Sequence, residues 1–238
     1  MTKVVFFDLD DTLYDHSGTV DVALEALKEH LPALRQFSDS EIRQSYDTFL
    51  EAYHKHFLDG AYSFDETHRR RWAAMLERWE VRDRDAEEMR VFWRELYFSN
   101  QKLVSGAKEL LEAVRAAGVV TGIVTNNSVS EQVGKLRSLS IDHLVDHLVI
   151  SEEAGYSKPD ERIYAIALER AGLKAEEAVM VGDHWENDIL SPSRLGIRGV
   201  WLNRKRSTIP DAIIASEIFS LQPTEVIMEI ILNPMLKR

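Results

Sequence analysis

The residues able to do chemistry stand in four groups, each placed after a run of apolar, β-favouring residues. Asp8-Leu9-Asp10-Asp11-Thr12 follows Val4-Val5-Phe6-Phe7, and Thr125-Asn126 follows the run 119–124. Ser157-Lys158-Pro159-Asp160 lies beyond the run 147–150, and Gly182-Asp183-His184-Trp185-Glu186-Asn187-Asp188 ends the run from 178. On an extended chain Asp8 and Asp10 point to the same side. Carboxylates that close repel each other, and a divalent cation is a natural way to keep both ionised. Any one group is ordinary loop chemistry, and Asp10, Asp11 and Thr12 also suit a polar turn after a strand. All four in this order are hard to obtain by chance.

These groups need strands to carry them. An unbroken apolar run reads as a strand buried on both faces, the habit of parallel sheets. Open parallel sheets bind ligands beyond the carboxyl ends of their strands, which is where all four groups fall. The pattern predicts strands at 4–7, 119–124, 147–150, 178–181 and 198–202, with a weaker one near Ile218. Helices are predicted at 107–117, after Ser128, at 161–171, at 186–195 and after Pro223. Gly118 is placed to end the first of them in a left-handed cap, and Pro192 to shorten or kink the fourth. Strands alternating with helices predict βαβ units and a parallel sheet.

Residues 15–99 read differently. Four amphipathic faces recur at helical spacing: Val20, Leu24, Leu27 and Leu31; Ile42 through Phe57; Trp72, Met75, Leu76 and Trp79; and Met89, Phe92, Trp93 and Leu96. Ser38 with Glu41 and Ser63 with Glu66 match the capping box, and Gly60 breaks the chain between the second and third helices. A small antiparallel bundle is expected, with its tryptophans in the core. The expected organisation is a core of residues 1–14 and 100–238 with an inserted helical cap, 15–99.

With 238 residues, 45% of them hydrophobic, the chain can fill a core domain and a smaller companion. A net charge of −11 argues against a nucleic-acid or membrane-surface binder. With no cysteine there is no disulfide and no thiolate metal site, which fits a reducing cytosol. No window approaches the roughly 18 apolar residues of a membrane span, and Asp8 interrupts the first apolar run, so no signal segment is read there. A cytoplasmic protein is expected, as a monomer or a homodimer.

Taken together, the four groups resemble the motifs of the haloacid dehalogenase superfamily: Asp-x-Asp-x-Thr, a strand-end Thr, Lys-Pro, and Gly-Asp-x-x-x-x-Asp. The resemblance runs from Phe6 to about Asn203, and a helical insert just after the first motif is similar to the subclass with an α-helical cap. It implies a Rossmann-like three-layer α/β/α sandwich and a Mg²⁺ cofactor. It implies that Asp8 is the nucleophile, forming an aspartyl-phosphate. Asp10 would protonate the leaving alkoxide and then take a proton from water, helped by neighbouring carboxylates that raise its pKa. Mg²⁺ would be held by a carboxylate oxygen of Asp8, the main-chain carbonyl of Asp10, and Asp183, with Asp188 holding metal-bound waters or Lys158. Thr125 and the amide of Asn126 would hold phosphoryl oxygens, and Lys158 would neutralise the nucleophile and the transferring group.

Dehalogenases of the superfamily usually lack the second aspartate of the first motif, so Asp10 favours phosphoryl transfer. The expected function is Mg²⁺-dependent hydrolysis of a small soluble phosphomonoester of the nucleotide, sugar phosphate or phosphoglycolate type. Alternatives are a sugar phosphomutase or a haloacid dehalogenase of the same superfamily, and, from another class, a non-catalytic regulatory module. The intact acidic set argues against the last, because burying unneeded carboxylates together costs stability. Other candidates are weaker. His54 and His56 lack the i, i+4 spacing of a helical zinc pair. Arg69-Arg70-Arg71 and the loop 59–64 read either as a solvated face or as substrate-selecting elements. His184 and Trp185 are placed to line a pocket mouth.

Overall fold

The computed structural model describes residues 1–208 and 215–233. In chain order the elements are β1 (Val4–Phe7), α1 (His16–His30), α2 (Asp39–Leu58), α3 (Phe64–Arg78), α4 (Ala86–Ser99), α5 (Ala107–Ala116), β2 (Val120–Thr125), α6 (Val129–Ser138), β3 (His147–Ile150) and α7 (Ser151–Ala154). They continue with α8 (Glu161–Ala171), β4 (Ala178–Gly182), α9 (Ser191–Arg194), β5 (Arg198–Leu202), β6 (Ala215–Ile218) and α10 (Thr224–Leu232). The chain divides into two compact units: Met1–Asp15 with Lys102–Arg238, and His16–Gln101.

In the first unit the strands form one parallel sheet in the order β3-β2-β1-β4-β5-β6. The chain builds outward from β1 on one side, then crosses to β4 on the other, so β1 and β4 flank the switch in strand order. That is where open α/β sheets place their ligands. Each residue of β1 is at most 1% exposed, as an apolar strand in the middle of a helix-covered sheet must be. Phe7 lies beside Ile123 of β2 and Val181 of β4, so Asp8 leaves the sheet level with the ends of both neighbours. One core layer joins Phe6, Val124, Val149 and Met180 of the sheet to Ile163, Tyr164 and Ala167 of α8. α5 packs on β2, with α10 against it. The result is the parallel sheet that the alternating pattern predicts, in the Rossmann-like α/β fold that the resemblance implies.

Two local expectations are refined. Gly118 does end α5, at φ +71°, where a residue with a Cβ would be strained. The helix expected over 186–195 is divided into a π-helical turn, Trp185–Leu190, and the short α9. Pro192 sits in the first turn of α9, where no N–H is required.

The chain leaves this unit after Asp15 and re-enters at Lys102. Asp15 N donates to Lys102 O at 3.0 Å and Val104 N to Leu13 O at 2.8 Å, so the two ends of the excursion lie side by side.

In the second unit α1 packs on α2 and α4, and α3 on α2 and α4. Trp72, Trp79 and Trp93 are buried. The Trp72 ring meets those of Trp93 and Trp79 at 5.5 and 6.4 Å, and Tyr46 lies 4.9 Å from Trp93. The capping box at Ser38 is complete: Glu41 N donates to Ser38 Oγ at 3.3 Å, and Ser38 N to Glu41 Oε2 at 2.8 Å. At Ser63 only half of the expected box forms. Glu66 N donates to Ser63 Oγ, but the Glu66 carboxylate is drawn forward by Arg69 at 2.8 Å and Arg70 at 2.6 Å. Two guanidinium groups outbid one main-chain amide for the same carboxylate. No helix among the described residues is long and apolar enough to cross a membrane.

Candidate active site at the carboxyl ends of the strands

Asp8 follows β1 directly, its amide donating to Val181 O of β4 at 2.9 Å. Its Oδ1 lies 2.6 Å from Lys158 Nζ, and the same ammonium is 2.7 Å from Asp188 Oδ1. All three side chains are buried. Lys158 reaches this place because Asn126, at the end of β2, clamps its main chain. Lys158 N donates to Asn126 Oδ1 at 2.8 Å, and Asn126 Nδ2 donates to Lys158 O at 2.9 Å. A side-chain amide matching a peptide unit in this way fixes a loop as a neighbouring strand would.

The charges do not balance locally. Burial pushes the Asp8 carboxyl up to about 7, against the attraction of Lys158, and the repulsion of Asp188 adds to the rise. Asp183 is pushed well above the ordinary carboxylate range by burial, then by Asp8 and Asp188. Burial pulls the Lys158 ammonium down, but the attraction of Asp188 and Asp8 outweighs it and raises the group above the ordinary lysine range.

Asp183 comes from the end of β4. Thr12, fully buried, accepts from Asp183 N at 3.1 Å and donates to Asp183 Oδ1 at 3.5 Å, tying the loop after β1 to the loop after β4. Asp188 approaches from the π-helical turn, and its Oδ2 accepts from His184 N at 3.0 Å. The approach depends on Gly182, because a Cβ there would stand 2.3 Å from Asp188 Cγ. Carboxylate oxygens of Asp8, Asp183 and Asp188 lie within 4.8 Å of one another. Three oxygen donors gathered around one point, two of them pushed above the ordinary carboxylate range by burial and mutual repulsion, fit a hard divalent cation of the Mg²⁺ type.

The Asp10 side chain takes a different direction and is not in that triad. Its Oδ1 lies 2.5 Å from Lys135 Nζ, and its Oδ2 accepts from Gln132 Nε2 at 3.0 Å. Gln132 Nε2 also donates to Thr125 Oγ1 at 2.6 Å. That contact occupies an acceptor position of the Thr125 hydroxyl and directs its hydrogen toward another acceptor, at present Asn126 O at 3.4 Å. α6 carries both residues, its first turn capped by Ser128, whose Oγ accepts from Glu131 N at 3.3 Å.

Gln132 and Lys135 were not among the expected site residues, nor was the clamp made by the Asn126 side chain. A signal for the first two was present. They lie one helical turn apart in a helix that begins just after Thr125-Asn126, so one face of it had to overlook that strand end.

Arg69 and Arg70 are exposed and engaged by Glu66, and Arg70 also covers the Tyr62 ring at 4.3 Å. Arg71 is instead buried, with its guanidinium 5.2 Å from the centre of the Tyr46 ring. The Phe57 ring meets His54 at 5.8 Å, and the Tyr62 ring meets His56 at 5.6 Å. His184 caps the π-helical turn, its Nδ1 accepting from Asn187 N at 3.2 Å. Trp185 meets Trp201 edge-on at 5.0 Å, and Trp201 Nε1 donates to Asp183 O at 2.8 Å.

The family model for haloacid dehalogenase-like hydrolases matches residues 2–196. Glyceraldehyde 3-phosphate phosphatase of Pyrococcus furiosus is 31% identical over 199 residues, which cover 84% of this chain and 80% of that protein. Ribulose-1,5-bisphosphate 5-phosphatase of Halopiger xanaduensis is 31% identical over 204 residues, 84% of each chain. Among solved structures, the HAD-hydrolase YfnB of Bacillus subtilis, bound to magnesium, is similar with a TM-score of 0.75, over 96% of this chain and 99% of that one. At 24% identity that last likeness concerns the fold alone. Sheet order, the groups at the strand ends and matches over most of the chain agree: this protein belongs to the haloacid dehalogenase-like hydrolases.

Proposed function

We propose that the protein is a Mg²⁺-dependent phosphatase that hydrolyses a small phosphorylated metabolite, foremost a sugar phosphate, through an aspartyl-phosphate on Asp8. The observation that carries this reading is the triad of Asp8, Asp183 and Asp188, with oxygens within 4.8 Å of one another at the sheet's switch in strand order. The names of the two relatives described above, both phosphatases of phosphorylated sugars, support the substrate class.

Mg²⁺ would be held by Asp8, Asp183 and the main-chain carbonyl of Asp10, with Asp188 behind them, and would supply the positive charge that lets an anionic nucleophile approach an anionic phosphoryl group. Lys158 engages Oδ1 of Asp8 at 2.6 Å and so offsets the negative charge of the nucleophile. The Thr125 hydroxyl and the Asn126 amide hold phosphoryl oxygens. Asp10 gives a proton to the departing oxygen and takes one from the water that hydrolyses the acyl phosphate. An alkoxide needs that proton and a halide does not, so the presence of Asp10 favours phosphate esters over haloacids. The core residues act on the phosphoryl group and on the one oxygen that departs from it, which are common to every ester. Discrimination among leaving groups is therefore assigned to the helical unit, with the loop 59–64 and the exposed Arg69 as its candidates.

The test is phosphate release from a panel of phosphorylated sugars, nucleotides and small acids. Release should require Mg²⁺, stop with EDTA and be fastest on one or more sugar phosphates. No release from any ester in Mg²⁺ would overturn the reading.

The acidic triad also predicts how stability depends on pH. The folded protein holds the Asp8 proton up to about 7, whereas the unfolded chain loses it near 3.8. Stability from this group is therefore full below the unfolded value and is lost as pH rises through the folded one. In EDTA the thermal midpoint should fall between about pH 4 and pH 7, and Asp8→Asn should flatten that fall. Mg²⁺ competes with the same protons, so the rise in midpoint it causes should grow with pH. A midpoint indifferent to Mg²⁺ throughout this range would sink the metal assignment.

A further inference from the structure

We propose that α6 supplies a positioning pair, Gln132 and Lys135, that holds the Asp10 carboxylate in its proton-transfer geometry and couples it to the phosphoryl-binding Thr125. The proposal rests on the phosphatase reading above. Lys135 Nζ is 2.5 Å from Asp10 Oδ1 and Gln132 Nε2 is 3.0 Å from Oδ2. With each oxygen engaged by a different side chain, rotation of the carboxylate is stopped. The same Gln132 nitrogen is 2.6 Å from Thr125 Oγ1 and 3.2 Å from Asn126 O, so one amide links the proton-transfer group to the strand end that binds phosphoryl oxygens. The loop carrying Asp10 is braced beside it. Asp11 N donates to Tyr14 O at 2.7 Å, and the Lys135 ammonium lies 5.0 Å from the centre of the Tyr14 ring.

Burial makes the arrangement informative. Gln132 is 0% and Lys135 2% exposed. Enclosing an ammonium and an amide carries a desolvation penalty that an apolar residue of similar size would not, so packing alone does not account for these residue types.

The chemistry tells a positioning role from a structural one. In the first half-reaction an Asp8 oxygen bonds to phosphorus, the phosphorus–oxygen bond to the leaving group breaks, and a proton passes from Asp10 to the departing oxygen. In the second, a water oxygen bonds to phosphorus, the bond to Asp8 breaks, and a proton passes from that water to Asp10. A displaced Asp10 therefore harms the first half-reaction only as far as the leaving group needs its proton. Nitrophenolate leaves without one and an alkoxide does not. Since kcat/KM reports only the steps up to the first irreversible one, it isolates this requirement.

The experiment compares Lys135→Met and Gln132→Leu with wild type in Mg²⁺, on p-nitrophenyl phosphate and on the best alkyl phosphate of the panel. The expected kcat/KM falls by about 10–100-fold on the alkyl ester, part of what a general acid is worth, and by less than about 3-fold on the aryl ester. Placed on an Asp10→Asn background, each substitution should cost clearly less on the alkyl ester than it does alone, because the carboxylate it positions is gone and only the contact of Gln132 with Thr125 is left to lose. An unchanged ratio between the two esters, or a full additive loss on that background, would overturn the proposal and leave the pair a structural role. If Lys135→Met fails to fold, Gln132→Leu carries the same two comparisons. A wild-type protein that releases no phosphate from either ester overturns the phosphatase reading itself, a distinct result.

Discussion

Asp8→Asn is expected to abolish turnover, lowering phosphate release by on the order of 10⁴-fold or more, while leaving a folded protein. The amide keeps the shape of the carboxylate but has no nucleophilic oxygen to form the acyl phosphate. The fold should survive because Lys158 retains Asp188 at 2.7 Å, so the substitution orphans no buried charge. It also removes a carboxylate whose pKa is pushed up to about 7 by burial and by a like charge, a group the folded state holds at a cost. Stability near neutral pH without metal should thus be equal to or above wild type. Phosphate release and denaturant unfolding of one preparation check both halves. A variant that kept a substantial rate would rule out the covalent route, and one that failed to fold would mean that Asp8 holds Lys158 in place.

Lys158→Met should do the opposite to stability while also removing activity. Lys158 is buried between Asp8 at 2.6 Å and Asp188 at 2.7 Å. Deleting it leaves two buried carboxylates facing each other, and breaking a buried pair from one side costs about 3–5 kcal/mol. The cluster can relieve itself by taking up a proton, so the deficit should be small in acid and grow as pH rises. Mg²⁺ should restore part of it by supplying other positive charge. Turnover should fall by about 10²–10³-fold or more even in saturating Mg²⁺, because the loss is of charge placed where the phosphoryl group transfers. Urea unfolding in EDTA across neutral pH, repeated with Mg²⁺, is the measurement. A variant as stable as wild type in EDTA at neutral pH would show that the three groups are not enclosed together.

The two substitutions differ for a reason that neither residue shows alone. Removing one of two anions around a cation lessens repulsion, whereas removing the cation leaves both anions unpaired. Lys158 and Asp8 belong to one unit of charge and respond to mutation as such.

What the sequence determined by itself is the set of strands and the groups that follow them. Val4-Val5-Phe6-Phe7 is apolar throughout, which only a strand covered on both faces tolerates, and Asp8 therefore had to stand at a buried strand end. The same local logic places Thr125, Asp183 and the β-strand Arg198–Leu202, because apolar runs bounded by polar or glycine residues carry their own limits. Helices capped by Ser38 and Ser128 were equally legible, since a cap is a contact between residues three apart.

Tertiary structure decided which of these groups meet. Thr12 and Asp183 are 171 residues apart and touch because β4 lies beside β1, a neighbour relation set by strand order and not by proximity along the chain. Asp10 was expected to offer a metal its main-chain carbonyl and the leaving group its carboxyl, and the direction of that carboxyl is set by Lys135 and Gln132, which reach it from α6. Asn126, expected to offer only its amide, also uses its side chain to hold the Lys158 loop. Each of these depends on the angle at which a helix or loop returns to the sheet. That angle follows from the packing of whole elements, of which a motif records only the ends.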